Sequence, residues 1–441
     1  MNNLIKLISS LKNFVRRRIV LISIENFNRE FVGKEILSKY LAEEGYLVLL
    51  AHKSIIRVLV SYLPLKDQIY IEKGNRFGSY KYLSKAKKNK LNIYSFDEEG
   101  LMQTDFDTFL KRNHDKKTLE IIDGIFSWGP THSSLLRKSG YKEKQILKTG
   151  NTRFDHYVNL IKNKPNEDYS KNEIILICSR FASANPNKKI KSNKDKRDGS
   201  DKYIEDSKKI LNLMIPLPNI IREAKIKNKI IVRPHPSESK NLWIKACKGL
   251  DNVIVTCDEP INDVLLRTSY LIHNRCTTAI EAYLSNINVI SYEPITLPSP
   301  PHPDKEFTNA FANYVCKSNS EILDCLKLNN QKKQYKYNKK IDRFIYNLNE
   351  LSSLKIVKIL SKRHKYIINN NLILVILIIF SLPIVVFHHK LYKIFYKLFR
   401  VKYYNYLKQK NGKIKSNSFL KINKEFIQLG LFSRITMFIP K

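Results

Sequence analysis

Two short segments of this 441-residue chain combine apolar runs with side chains suited to binding phosphate. In Ile230–Glu238, IIVRPHPSE, the apolar run ends in Arg233 and His235. Pro234 and Pro236 flank the histidine, and proline fixes φ near about −65°, so the turn is rigid. Arginine offers a planar fork to phosphate oxygens, and histidine can donate a hydrogen bond to them. We expect Arg233, His235 and Pro236 to bind phosphate; the alternative is a structural His-Pro turn.

The second segment, Leu271–Ala282 with the sequence LIHNRCTTAIEA, predicts a strand followed directly by a helix. Asn274, Thr277 and Thr278 lie at the predicted helix start, where free backbone N–H groups and the helix dipole attract anions. Glu281 follows about one turn into the helix, so the alternative is a capping box that serves only the helix. The two roles are compatible, because a cap orients the same amides that would bind a phosphate.

A run of carboxylates, Asp97, Glu98 and Glu99, follows the predicted strand NIYSF. Such groups can take a proton from a hydroxyl or stabilise a positively charged reacting carbon. Clustered carboxylates raise one another's pKa, which helps one of them act as a base. The alternative is a solvated acidic turn. Glu30, after the first predicted strand, is a rival base, although an ordinary carboxylate at a helix start is the preferred interpretation.

Alternating strand and helix patterns position these residues. RIVLISIE predicts a strand, EFVGKEILSKYLAEEG a helix and YLVLLAH a second strand, and a new series of this kind begins at EIILICSRF. The pattern predicts two successive α/β halves. The expected organisation is a basic amphipathic arm at 1–18, an N-terminal Rossmann-like domain at 19–155, a linker at 156–172, a second Rossmann-like domain at 173–360 and a basic, hydrophobic tail at 361–441.

Composition restricts the class of partner. Lysine and arginine outnumber acidic residues 78 to 40, a formal net charge of +38, which favours an anionic partner. No basic strip interleaved with aromatic residues precedes the tail, so we expect no nucleic acid. The six cysteines form no CxxC pair and no zinc-like spacing, which fits a reducing cytoplasm. A DxD pair, Asp105 and Asp107, follows no apolar strand, so we expect no metal and no cofactor.

The tail contains sixteen uncharged residues at 372–387, LILVILIIFSLPIVVF. A helix that spans a bilayer needs about 20 such residues. Basic residues crowd both flanks, so the positive-inside rule gives no orientation. A re-entrant or in-plane anchor on an anionic membrane surface accommodates both facts, and a buried core helix is the alternative. We expect a cytoplasmic protein bound peripherally or monotopically at the inner face of the plasma membrane.

Five motifs in order, FDEEG, WGP, TGNTRFD, RPHPSE and HNRCTTAIEA, resemble those of the bacterial surface carbohydrate biosynthesis proteins, a glycosyltransferase-like family of the GT-B type. The likeness covers roughly residues 18–360. TGNTRFD is also similar to a segment of Kdo transferases and of nonhydrolysing UDP-GlcNAc 2-epimerases, and RPHP resembles an element of CMP-sugar and CDP-glycerol transferases. The resemblance implies an α/β protein with two Rossmann-like domains facing a cleft, with the activated-sugar donor on the C-terminal half.

The resemblance extends the expected donor site. It implies that Asn151 and Arg153 of TGNTRFD contact donor phosphate or fix the hinge, and that Ser179, after the first strand of the second half, faces the donor. It also implies that Glu281 reaches a ribose hydroxyl. The loop that contains Glu30 would face the acceptor.

The function implied is glycosyl transfer from a nucleotide sugar, with CMP-Kdo or a related CMP-sugar favoured, to a surface polysaccharide or lipid-linked glycan. Alternatives of the same architecture are a CDP-glycerol phosphotransferase and a UDP-sugar 2-epimerase-like enzyme. From other classes, a non-catalytic scaffold and a basic nucleic-acid-binding protein remain open.

Overall fold

The protein is described from a computed structural model. The described residues are 18–98, 100, 115–163, 173–187, 201–295, 303–327, 338–346, 348–364, 419–422, 426–431 and 435–440. They form two compact units. Unit 1 contains the described residues up to His156 and those from Asp342 onward, and unit 2 contains those of Tyr157–Ile341.

Unit 1 is built on a sheet of nine strands within the described part of the chain. Its strands are β1 (Ile19–Ile24), β2 (Leu47–His52), β3 (Ile69–Glu72), β4 (Asn92–Ser95), β5 (Gly124–Ser127), β6 (Ile146–Lys148), β13 (Phe419–Ile422), β14 (Phe426–Leu431) and β15 (Ile435–Pro440). The order is β13-β14-β15-β2-β1-β3-β4-β5-β6. Strands β1 to β6 are parallel, whereas β13, β14 and β15 extend the sheet beyond β2 with antiparallel pairing.

Helices pack on both faces of this sheet. They are α1 (Phe27–Glu43), α2 (Lys53–Tyr62), α3 (Tyr80–Lys88), α4 (Pro130–Lys138), the start of α5 (Asp155–Asn163) and α13 (Ser352–Arg363). Successive side chains of a strand point to opposite faces. Ile19 and Leu21 therefore pack in the core beneath α2, and Val20 and Ile22 in the core beneath α1 and α13. Burial on both faces explains why β1 is apolar at nearly every position.

Unit 2 is built on six parallel strands among its described residues. They are β7 (Ile174–Ser179), β8 (Lys229–Pro234), β9 (Val253–Val255), β10 (Thr268–His273), β11 (Asn288–Tyr292) and β12 (Tyr314–Cys316), in the order β12-β11-β10-β7-β8-β9. Its helices are the rest of α5, α6 (Asp201–Met214), α7 (Leu217–Glu223), α8 (Asn241–Ala246), α9 (Ile261–Leu265), α10 (Thr278–Leu284), α11 (Pro303–Ala310) and α12 (Asn319–Lys327).

The expected α/β class is confirmed, but two expected boundaries need correction. Residues 342–360, assigned from the sequence to the second domain, belong to unit 1. The reason is that Asp155 accepts hydrogen bonds from the backbone N–H groups of Ser352 and Ser353, each at 2.8 Å, and so fixes the start of α13. The expected linker at 156–172 begins instead as helix α5.

The tail differs from expectation as far as it is described. Strands β13 to β15 lie within the 361–441 segment that the sequence predicts to be a membrane-associated appendage. The apolar run at 372–387 and the arm at 1–17 lie outside the described residues. Within the described part of the chain, no helix has the length and apolar character that crossing a membrane requires.

A substitution at Gly33 tests how closely α1 packs against the backbone of Thr152. A Cβ atom at Gly33 would lie 2.3 Å from the backbone oxygen of Thr152, which cannot move independently of its chain. Helix propensity alone would make Gly33→Ala stabilising by about 0.5–1 kcal/mol, but overpacking costs about 1–3 kcal/mol. We expect Gly33→Ala to lower the free energy of unfolding by about 1–3 kcal/mol in urea titrations.

Gly78→Ala is the matched control. A Cβ atom at Gly78 would meet nothing within 4 Å, so its effect should stay within about 0.5 kcal/mol. A stabilised Gly33→Ala variant would contradict the packing of α1 against Thr152.

Candidate active site

Polar residues of unit 2 gather where its parallel strands end. The chain runs from β7 to β8 and β9 on one side, and then returns to β10, β11 and β12 on the other. The order of strands therefore reverses between β7 and β10, and ligands of open α/β sheets bind outside the carboxyl ends of strands at such a switch point. Arg180 follows β7, His235 follows β8 and Asn274 follows β10. This edge is the candidate ligand site of unit 2.

The RPHP turn presents two nitrogen donors at this edge. The backbone N–H of His235 donates to Ser179 O at 3.0 Å, and the N–H of Ser237 donates to His235 Nδ1 at 3.2 Å. Because Nδ1 accepts, the neutral ring carries its proton on Nε2, and the side chain is exposed. Arg233 Nη1 is buried and has no hydrogen-bond partner among the described residues. Pro236 is exposed beside them.

A buried carboxylate supports the turn from behind. Both oxygens of Glu238 accept from Ser179 Oγ, at 2.7 and 2.8 Å. The backbone N–H of Phe181 and Trp243 Nε1 also donate to Glu238, at 3.0 and 2.9 Å. The hydroxyl of Ser179 holds Glu238, and contact between Ser179 and a donor stays a prediction. The sequence reasoning missed Glu238, although its place just after RPHP was the available signal.

The turn after β10 differs from the expected helix cap. Thr277 precedes α10 but its side chain makes no capping hydrogen bond, so a capping box that begins at Thr277 is not formed. The side-chain amide of Asn274 is buried and donates to Tyr292 O at 2.7 Å, which fixes the turn to β11. The hydroxyl of Thr278 lies 3.4 Å from Cys276 Sγ. Anion binding by these residues therefore stays a prediction that rests on backbone groups.

Two further features shape this turn. Arg275 has a φ of 51°, the left-handed region, and its carbonyl accepts a hydrogen bond from Arg180 Nη1 at 2.7 Å. This bond connects the end of β7 with the end of β10 across the switch point. Glu281 lies in the first turn of α10 and is buried. Contact between its carboxylate and a ribose stays a prediction.

In unit 1, Asp97 is paired with a histidine that the sequence reasoning did not select. His132 Nδ1 accepts from the N–H of Trp128 at 3.1 Å, which leaves the ring proton on Nε2, and Nε2 lies 3.4 Å from Asp97 Oδ2. The other oxygen, Oδ1, accepts from the N–H of Gly100 at 3.0 Å. His132 is fully buried. The WGPTH sequence gave no sign of this pairing, because Asp97 is 35 positions away.

Glu98 is held by a buried lysine. Lys34 Nζ lies 2.9 Å from Glu98 Oε1 and 2.9 Å from Glu30 Oε2, and donates to Ser23 O at 3.0 Å. Burial alone would lower the pKa of Lys34, but Glu30 and Glu98 raise it to about 12. Arg29 adds a hydrogen bond from its guanidinium to the carbonyl oxygen of Glu98. Glu98 is therefore fixed beside a permanent positive charge.

Glu30 is removed from the candidate bases. Burial alone would raise its pKa, but Lys34 and Lys73 lower the pKa of Glu30 to about 2. Its carboxylate also accepts from the N–H groups of Glu25 and Asn26, at 3.1 and 3.0 Å. A carboxylate that stays ionised and fully hydrogen-bonded near neutral pH holds structure and does not take up protons. Glu99, the third carboxylate of the run, lies outside the described residues.

Asn151 and Arg153 form a local turn in unit 1. Asn151 Oδ1 accepts from the N–H of Arg153 at 2.9 Å and begins the short 3₁₀ helix Thr152–Phe154. Both side chains are buried. The oxygen of Asn151 thus stabilises the chain just before Asp155, and donor contact by either residue stays a prediction.

The part of the chain that the structure describes contains no group of three or more histidine, cysteine or acidic residues arranged to hold a metal ion. Asp105 and Asp107, the DxD pair, lie outside it.

No protein-family model and no curated protein matches this sequence. Several solved structures, in contrast, are similar to this chain. The UDP-GlcNAc 2-epimerase of Methanocaldococcus jannaschii is 15% identical, with a TM-score of 0.53 over 78% of this chain and 99% of that chain. Its structure in complex with UDP-GlcNAc and UDP gives 14% identity and a TM-score of 0.50 over the same shares, 78% and 99%.

A protein of Listeria monocytogenes described as a UDP-N-acetylglucosamine 2-epimerase is 12% identical, with a TM-score of 0.52 over 80% of this chain and 98% of that chain. At such low identity these likenesses show the fold, and the expected GT-B-like fold is confirmed. None of these three structures is a Kdo or CMP-sugar enzyme, so that part of the expected relationship is not supported by them.

Lys34→Met tests the buried ion cluster. It leaves two buried carboxylates without their cation, which costs about 3–5 kcal/mol. We expect that loss of unfolding free energy in urea at pH 7. Because the folded-state pKa of Glu30 is lowered from 4.5 to about 2, the advantage of the native chain is fully present above pH 4.5 and should shrink as the pH falls toward 2.

Lys39→Met on the same helix is the control. Lys39 and Glu35 form a partly exposed pair with the same spacing of four residues, and pairs of this kind near the surface contribute only about 0.3–0.5 kcal/mol. Equal losses in the two variants would contradict the role assigned to Lys34.

Proposed function

We propose that the protein is a nucleotide-sugar enzyme that binds the diphosphate of a UDP-sugar on unit 2 and breaks the bond between that diphosphate and the anomeric carbon. The observation that carries the proposal is the buried, unpartnered Nη1 of Arg233, among the described residues, beside the exposed ring of His235 at the switch point. Hydrogen bonds from a guanidinium to phosphate are charge-assisted and strong.

These donors suit a departing nucleotide. When the sugar–diphosphate bond breaks, negative charge grows on the leaving oxygen. Donors fixed in advance stabilise that charge without reorganising. Arg233 is positioned by β8, and His235 by the Pro-flanked turn that Ser179 and Glu238 hold. Pro236 contributes rigidity in this proposal, and the amides before α10 contribute further donors.

The donor in this proposal differs from the one that the sequence favours. A UDP-sugar takes the place of CMP-Kdo, because the M. jannaschii epimerase, which shares the fold, binds UDP-GlcNAc and UDP in its solved complex. Fold likeness does not select the base, so CMP-Kdo and CDP-glycerol belong in the same assay as competing donors.

We assign the proton-transfer chemistry to unit 1. Asp97 would take the proton released in the reaction, with His132 Nε2 lying 3.4 Å from its second oxygen. Glu98, held 2.9 Å from Lys34 Nζ, would stabilise positive charge on the anomeric carbon. In glycosyl transfer, an acceptor hydroxyl oxygen bonds to the anomeric carbon, its proton goes to the base, and UDP leaves with the bonding electron pair.

The epimerase neighbours favour a second candidate, epimerisation at C2 of the UDP-sugar. There the base would remove the C2 proton while UDP leaves C1 with its bonding electron pair, and a C1–C2 double bond forms. A proton would then add to C2 on the opposite face, and the diphosphate oxygen would bond to C1 again. For transfer, the acceptor that we propose is a surface polysaccharide or lipid-linked glycan at an anionic membrane surface, supported by the net charge of +38.

Measurement of UDP binding tests the part of the proposal that concerns the nucleotide. We expect Arg233→Met to weaken UDP binding by about tenfold or more in titration calorimetry, because a charge-assisted hydrogen bond contributes about 1.5–3 kcal/mol. Arg267→Met is the control: Arg267 precedes β10, at the amino edge of the sheet, and pairs with Glu259. Equal UDP affinity in the native chain and Arg233→Met would contradict the assignment.

Turnover tests the chemistry and separates the two reactions. The full-length protein is incubated in D₂O with UDP-GlcNAc, with and without a lipid-linked glycan acceptor. Deuterium at C2 without acceptor identifies epimerisation, whereas acceptor-dependent release of UDP identifies transfer. We expect Asp97→Asn and His132→Gln to lose about 10²–10⁴-fold in rate, with Lys39→Met unchanged. Full activity in both variants would remove the Asp97–His132 assignment.

A further inference from the structure

Two cysteine side chains meet at the switch point of unit 2. Cys178 is the penultimate residue of β7, and its Cα is paired with that of His273 at the end of β10. The left-handed turn at Arg275 brings Cys276 back over β7, and the N–H of Cys276 donates to His273 Nδ1 at 3.3 Å. The side chains of Cys178 and Cys276 share a hydrogen bond. Two thiols from neighbouring strand ends are therefore adjacent.

The environment gives the two thiols different reactivities. The hydrogen bond with Cys178 lowers the pKa of Cys276 to about 6, and Thr278 and Arg180 act in the same direction. The same bond, together with burial, raises the pKa of Cys178 well above its ordinary value. The charge of Arg233 also acts on Cys178, and the ring of His273, whose pKa burial lowers to about 3, accepts from the backbone N–H of Cys276. Cys276 is partly exposed, so a thiolate there can reach small molecules.

We propose that Cys178 and Cys276 form a reversible disulfide by exchange with a low-molecular-weight disulfide such as oxidised glutathione. The Cys276 thiolate attacks one glutathione sulfur, and the first glutathione leaves as its thiolate. Cys178 then loses its proton to solvent and attacks the Cys276 sulfur of the mixed disulfide. The second glutathione leaves. Both cysteines are oxidised, and one glutathione disulfide is reduced to two thiols.

This bond would act on the ligand site. It would tie β7 to the turn before α10, the turn that Arg180 already fixes through Arg275 O. Drawing Cys178 and Cys276 together to bonding distance changes the position of the amides of that turn. We expect the oxidised protein to bind UDP at least tenfold more weakly, and this consequence rests on the proposed function. Disulfide formation itself does not.

A second pair in the same unit is an internal comparison. Cys316 Sγ and Cys325 Sγ lie 3.6 Å apart, so they are also close enough to react. Both side chains are buried, and burial raises the pKa of Cys316 to about 12. Proximity alone would oxidise this pair as readily as the first, whereas thiolate character favours Cys178 and Cys276.

The test uses the full-length reduced protein and oxidised glutathione. Samples are quenched in acid, alkylated in denaturant and mapped by peptide mass spectrometry. We expect a Cys178–Cys276 link first, reversed by dithiothreitol. The free Cys276 thiol should be lost at pH 6.5 at a rate within about twofold of that at pH 8, because a thiol with an ordinary pKa of about 8.5 would slow far more. Faster oxidation of Cys316 and Cys325, or full alkylation of Cys178 and Cys276, overturns the proposal.

Two variants separate the steps. Cys178→Ser should accumulate glutathione on Cys276, since the resolving thiol is gone, whereas Cys276→Ser should accumulate none on Cys178. Glutathione on Cys178 in the second variant would reverse the assigned order and overturn it. Finally, titration compares the UDP affinity of the oxidised native protein with that of the reduced native protein. Equal affinities remove the effect on binding, and no UDP binding by the reduced protein defeats the proposed function while the disulfide stands.

Discussion

A buried ammonium group organises the carboxyl edge of unit 1. Lys34 links three parts of the chain: the end of β1 through Ser23 O, helix α1 through Glu30, and the segment after β4 through Glu98. Removing three charges from water is costly, and only close pairing offsets the cost. The cluster therefore has little freedom to rearrange. It fixes Glu98 directly beside Asp97, the carboxylate that His132 contacts.

In unit 2, a buried carboxylate and neutral hydrogen-bond donors fix the site residues in a comparable way. Glu238 receives hydrogen bonds from Ser179, Phe181 and Trp243, which tie the RPHP turn to β7 and α8. Arg233 and His235 lie at the same carboxyl edge, and their nitrogen donors suit an anion. In each unit, a buried polar group determines where the reactive side chains stand, and neither buried group is itself a candidate for chemistry.

Much of this arrangement follows from sequence patterns. Apolar runs predict β1, β7, β8 and β10, and the rule that ligands bind at carboxyl ends of parallel strands selects RPHP and HNRC. The roles of Lys34, His132 and Glu238 do not follow, because each depends on contacts between segments that are distant in the chain. Rules that use only neighbouring residues failed where contacts between distant segments determine the structure. Thr277 makes no capping hydrogen bond, and Asp155 holds the start of α13, a helix that the sequence assigns to the other unit.

Hydrogen–deuterium exchange of the full-length protein, with and without UDP, tests whether the carboxyl edge of unit 2 binds the nucleotide. We expect UDP to slow exchange of backbone amides in residues 179–187, 233–239 and 274–281, while those of the edge strand 253–255 exchange as before. If UDP binds while exchange in those three segments is unchanged, or if protection appears only in other segments, the carboxyl edge of unit 2 does not bind the nucleotide.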